Sequence, residues 1–163
     1  ISDTVTTGTS VAGRVFALNG AVTLDTNFIT VPTSGSGQCN DFTTGGGFIT
    51  SPSGGKATFG FEAGCKCGQG HGGLPSGEVV YHDHSIDLTM KSTSVTAYIE
   101  IGPNSRRIEG TAEINGQDGT FQVDVTDDES GAPTFAIRLS TGYGASGGLQ
   151  GGHIQIHCCH HDK

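Results

Sequence analysis

Turn-forming residues interrupt this chain so often that no helix of ordinary length fits between them. "PSGG", "GQGHGG", "NGQDG", "DDESGAP" and "GYGASGG" recur along it, and 28 of its 163 residues are glycine. Gly, Pro, Asn and Asp in such clusters set turns, because they supply positive φ, a fixed φ or a local side-chain hydrogen bond. The stretches between them are rich in Val, Ile, Thr and Ser, which suit a pleated surface and disfavour a helix. No segment repeats its apolar residues at helical spacing, so the chain reads as all-β.

Strands are expected near 42–50, 57–64, 77–84, 86–91, 93–101, 107–115, 119–126, 133–140 and 145–157. Many short strands at even spacing point to an antiparallel β-sandwich of jelly-roll type. Upstream, residues 1–32 alternate apolar and polar positions, with Val11, Val15, Val22, Leu24, Ile29 and Val31 as the apolar set. Asn19-Gly20 reads as a tight turn between two strands, so this part is expected to be a two-strand arm. Residues 33–38, "TSGSGQ", have the composition of a flexible linker. The expected organisation is an arm at 1–32, a linker at 33–38, a β-sandwich at 39–157 and a Cys/His-rich tail at 158–163.

Charge and cysteine usage narrow the setting. A formal net charge of -8, no Trp and only 8 Lys plus Arg disfavour nucleic acid and anionic membranes as partners. No apolar run is long enough to cross a membrane, and no leader sequence is visible, so the chain reads as a processed product. The five cysteines fit an oxidising, extracellular compartment. Their odd number leaves at least one free, metal-bound or shared with another chain.

Two stretches resemble known families. "VAGRVFALNGAVTLDTNFIT" is similar to the closing coils of the bacterial ice-binding, adhesin-type β-solenoid. That resemblance implies one or two coils, where a solenoid needs about three to bury its own core. A two-strand arm is also marginal alone in water. The arm is therefore expected to pack on a partner surface through Val15, Val22, Leu24 and Ile29. The second resemblance rests on "TTGGGFI", "ATFGFEA", "GEVVYHDH", "KSTSVTAY", "IEGTAEINGQDGTFQVDVTDDESGAPTFAIRLS" and "GGHIQIH". Together these resemble the post-COAP domain of secreted bacterial surface proteins, across most of 42–157. It implies a sandwich, an extracellular accessory role and no catalytic residues.

Cysteine and histidine carry the site expectations. If the strands around "SPSGG" form a hairpin, positions summing to about 107 face each other, which brings Cys39 near Cys65 or Cys67. A disulfide between them is expected, with Cys158 or Cys159 to Cys65 as the competing pairing. His82 and His84 of "YHDH" share one face of a strand, as do His153 and His157. With Cys158, Cys159, His160 and His161 of "HIQIHCCHHDK", they form the expected set of copper or zinc ligands, and His71, Cys65 and Cys67 are further donors. The other reading of His82 and His84 is hydrogen bonding across strands. Haem is not expected, because "CKCGQGH" lacks the C-x-x-C-H spacing. Asp124, Asp127, Asp128 and Glu129 form an acidic loop in which Ca²⁺ is the minor reading and a solvated turn the main one.

No nucleophile–base–acid grouping or phosphate-binding glycine loop is visible, so no enzyme activity is expected. The expected function is a structural subunit of an extracellular filament or surface assembly, a homopolymer built by adding the arm to a neighbour's sheet. The alternatives are an adhesion module for cells, ice or carbohydrate, and, on the histidines alone, a metal-dependent hydrolase.

Overall fold

A computed structural model describes residues 41–65, 74–128 and 131–158, together with four short strands nearer the N-terminus. The chain divides into two compact units, Ile1–Ser36 and Gly37–Lys163. The described residues include no helix, so none is long and apolar enough to cross a membrane.

The first unit contains β1 (Asp3–Val5), β2 (Ser10–Ala12), β3 (Val22–Leu24) and β4 (Phe28–Thr30). β1 pairs in parallel with β3, and β2 in parallel with β4. The described strands here number four, where the sequence suggests a two-strand arm. Parallel pairing needs a long crossover, and here Asp3 meets Val22 while Ser10 meets Phe28. In each ladder a strand pairs with the next but one in chain order. Of the expected interface residues, Val22 and Leu24 lie in β3 and Ile29 in β4, while Val15 lies outside the described residues.

The second unit is one antiparallel sheet of nine strands, curled into a half-barrel. They are β5 (Asp41–Thr50), β6 (Lys56–Gly64), β7 (Ser76–Asp83), β8 (Leu88–Gly102), β9 (Ser105–Ile114), β10 (Gln117–Thr126), β11 (Thr134–Leu139), β12 (Gly144–Gly148) and β13 (Gly151–Cys158). Their order is β12-β11-β10-β9-β8-β7-β6-β5-β13: β5 to β12 follow one another as a meander, and β13 crosses over to pair with β5. The described strands form one continuous ladder. The two strands expected at 86–91 and 93–101 are one strand, β8. It stays continuous by taking register shifts at Ser92/Ser94, Val95/Ala97 and Glu100/Gly102. Such bulges bend a strand and raise its twist, which lets a single sheet wrap round its own core.

The curl is visible in the packing. Phe59 of β6 and Phe135 of β11 lie five strands apart in the order, yet their rings stack with centroids 3.9 Å apart. Inward positions alternate along each strand, as in Val79, Tyr81 and Asp83 of β7 or Arg106, Ile108 and Ala112 of β9. They enclose a core that includes Ile49, Phe135, Ile137 and Ile154.

The strand expected at 145–157 divides into β12 and β13, and these form the two edges of the sheet. Between them the Leu149 N–H donates to the Pro133 carbonyl (2.9 Å) and the Gln150 N–H to the Phe48 carbonyl (3.0 Å). Adjacent residues thus bond opposite edges, and the chain passes from one to the other between them. β13 then runs along β5, pairing His153 with Gly46 and Gly152 with Gly47. This approach is too close for side chains: a Cβ on Gly47 would lie 2.2 Å from the Gly151 carbonyl oxygen. The "GGG" at 45–47 marks this seam.

Candidate functional site

The histidine pairs sit on the outer face of the sheet. His82 in β7 and His84 in the following turn lie ring against ring, with centroids 3.9 Å apart. His82 Nε2 is 3.2 Å from Asp87 Oδ1, and His84 Nε2 is 2.9 Å from Thr58 Oγ1. On β13, His157 stacks on Phe42 at 4.6 Å and its Nε2 lies 2.9 Å from Thr44 Oγ1. Cross-strand hydrogen bonding and stacking therefore account for His84 and His157.

The two pairs do not converge. β13 is separated from β7 by β5 and β6. Three strand spacings of about 4.8 Å put His153 roughly 14 Å from His82, and both lie on the convex side. One ion holds imidazole nitrogens at about 2 Å, so these four histidines cannot share one. Among the described residues no group of three or more His, Cys, Asp or Glu is placed to hold a metal. His71, Cys39, Cys67, Cys159, His160 and His161 lie outside the described residues, and Cys158 is described only as backbone. The carboxylates of the acidic loop are committed elsewhere. Asp124 takes a two-pronged contact from Arg107 at 2.7 and 2.8 Å. Asp127 accepts the Ile156 N–H at 2.9 Å, and Asp128 accepts the Gly131 N–H at 2.9 Å. Glu129 lies outside the described residues.

The densest polar chemistry is inside, at the two ends of the curled sheet. At one end Asp83 is fully buried. Its Oδ1 accepts the Ser85 N–H (2.9 Å) and the Ser85 hydroxyl, and its Oδ2 accepts the Tyr143 hydroxyl (2.8 Å). Tyr143 also bonds Tyr81 (2.7 Å), and Ser51 and Ser53 both bond Ser85. This network ties three hairpin turns together: β5–β6, β7–β8 and β11–β12. Burial alone would raise the Asp83 pKa. Hydrogen bonds from Ser85, Tyr143 and Ser51 outweigh it and hold the carboxyl below its ordinary value. Burial pushes the Tyr81 and Tyr143 hydroxyls up, and the neighbouring Asp83 charge adds to that.

At the other end Arg106, on β9, reaches Asp41 at the start of β5. Its Nη2 is 2.5 Å from Asp41 Oδ2. Nη1 donates to the carbonyls of Gly102 (3.0 Å) and Ser105 (2.8 Å) in the β8–β9 turn. Tyr98 completes the group with a 2.6 Å hydrogen bond to Thr43. Burial would lower the Arg106 pKa, but Asp41 outweighs it and the net direction is upward. Burial raises that of Tyr98.

Sequence reasoning places Asp83 and Tyr81 on the face opposite His82 but gives them no role. The available signal is alternation: an Asp in phase with Val79 and Tyr81 must be buried, and a buried carboxylate needs donors. The same holds for Arg106, in phase with Ile108. Both groups are saturated with contacts inside the protein, and their chemistry is that of clasps.

No family model, no curated protein and no solved structure matches this chain.

Proposed function

We propose that the protein is a structural subunit of an extracellular filament or surface assembly, which polymerises when its N-terminal unit adds strands to a neighbouring copy. One observation carries the reading. Among the described residues, the N-terminal ladders pair three positions each and join two strands each, and two-stranded pieces of this size are marginal alone. A second copy supplies the missing strands. The polar groups of the larger unit support a structural role, since they close its two ends. Electron microscopy of the native protein tests the reading. Filaments or ordered layers are expected, and uniform single particles at all concentrations overturn it.

The extracellular setting carries a disulfide with it. Cys65 is buried, at 5% exposure. Its N–H bonds the Asp41 carbonyl at 3.0 Å, and Asp41 is also the ladder partner of Cys158. Cys158 is thus two strand spacings from Cys65, about 10 Å, whereas a disulfide needs Cα atoms within about 7 Å. This supports the Cys39 pairing over the Cys158 pairing. The observed ladder joins Phe42 to Gly64 and Thr50 to Lys56, sums of 106, one less than the register expected from sequence. Peptide mapping under non-reducing conditions is expected to find Cys39 oxidised with Cys65 or Cys67. Recovery of Cys39 as a free thiol overturns the pairing.

The metal reading rests on Cys158, Cys159, His160 and His161, soft and borderline donors that suit copper or zinc. Elemental analysis of washed native protein is expected to give stoichiometric copper or zinc. A substoichiometric content, with assembly unchanged by EDTA, removes the metal from the proposal.

A further inference from the structure

The N-terminal unit has the pattern of a repeat. Register places like on like at three of the six pairs: Thr4 opposite Thr23, Val5 opposite Leu24 and Val11 opposite Ile29. The stagger of one ladder, Asp3 to Val22, nearly equals that of the other, Ser10 to Phe28. The chain visits β1, β2, β3 and β4 in turn, and each ladder joins elements two apart. That is the path of a coil laid on the previous coil. Stacked coils are stabilised chiefly by their neighbours, so every added level helps.

We infer that the acceptor for the N-terminal unit is the N-terminal unit of a second copy, stacked coil on coil, with β3 and β4 of one copy against β1 and β2 of the next. This rests on the assembly reading above and names its partner. The pairing needs no new recognition code. The residues that join β1 to β3 within one chain are the same ones that would join β3 of one copy to β1 of the next, in the same parallel register. Because the staggers nearly match, both ladders propagate together. A contact that uses different edges on the two partners is heterologous and does not close on itself, so it continues as a filament. Each copy adds two strand levels, a rise of about 9.6 Å at a strand spacing of about 4.8 Å. The antiparallel unit then plays no part in the joint, and its own edges are not the acceptor.

The test mixes the full chain with a fragment of residues 37–163, which keeps the whole described core, from Ile49 to Ile154. Size-exclusion chromatography with light scattering follows assembly, and hydrogen exchange follows the amides of 3–5, 10–12, 22–24 and 28–30. The expected result is that the full chain assembles, the fragment stays monomeric and does not co-elute, and the exchange of those amides slows as full-chain concentration rises. Co-elution of the fragment with the full chain would show that the antiparallel sheet is the acceptor. That overturns this inference and leaves the assembly reading standing. A full chain that stays monomeric at every concentration overturns both.

Discussion

At the scale of single residues, the buried carboxylate Asp83 is the most exacting position. It accepts donors from two turns while lying fully inside. Asp83→Asn places an amide donor against hydroxyls that already donate, and is expected to cost about 2 kcal/mol; Tyr143→Phe is expected to cost about 1 kcal/mol. The pH dependence follows from the lowered pKa of Asp83. A group depressed in the folded state contributes stability above its unfolded value, near 3.9, and that contribution is lost as pH falls through the folded value. In urea unfolding, the gap between the wild type and Asp83→Asn is expected to be constant from pH 7 to about 5 and to close below about 4. A gap unchanged at pH 2 contradicts the assignment. Arg106 makes the opposite end a second test. Truncation removes the bonds of Arg106 to Asp41 and to the Gly102 and Ser105 carbonyls, so Arg106→Ala is expected to cost about 3–5 kcal/mol in the same measurement. Neither role is spelled out by residue type. Alternation along the strand says that Asp83 and Arg106 face inward, but their partners Tyr143 and Asp41 lie 60 and 65 positions away, and only the curl of the sheet joins them.

Elements are more legible than partners, because strand and turn signals are local. The hairpin at "SPSGG" emerges one position from its expected register, since the apolar alternation of β5 and β6 fixes which faces meet. Breaks are hard to read where the chemistry is permissive. "KSTSVTAY" has no turn residue, so β8 runs through it with bulges. Leu149-Gln150, by contrast, parts β12 from β13, and Gly152 just inside β13 takes φ +110°. Asn19-Gly20 points to a hairpin by local rules, yet the ladders around it are parallel. A stagger as long as Asp3 to Val22 is invisible to any window the size of one strand. The glycine seam offers a paired test of element packing. A Cβ on Gly47 meets a backbone oxygen at 2.2 Å, whereas the nearest atom to one on Gly46 is 3.6 Å away. Gly47→Ala must therefore push β13 off β5, at an expected cost of about 1–3 kcal/mol. Gly46→Ala is expected to stay within about 0.5 kcal/mol of wild type. Equal thermal midpoints for the two variants would mean that β13 does not lie on β5 in this register.

At the scale of the whole molecule, the two units have different sources of stability, and that difference is measurable. The antiparallel unit draws its core from residues between Ile49 and Ile154 and closes both ends with buried polar clasps. Ile1–Ser36 clusters by itself. Unfolding of the larger unit should therefore be insensitive to the N-terminal unit and to protein concentration. Among the described residues the N-terminal ladders have two levels and short strands, so their order should depend on what stacks on them and follow mass action. Calorimetry over a hundredfold range of concentration is expected to give one transition that stays fixed, shared with the fragment 37–163 to within about 2 °C. A second transition in the full chain should move upward as concentration rises. A single transition that shifts by more than about 4 °C when residues 1–36 are removed would correspond to roughly 1 kcal/mol or more of lost stability in a unit of this size. The N-terminal strands would then belong to the core of the larger unit, and the division of labour between a self-sufficient body and an assembling coil would be wrong.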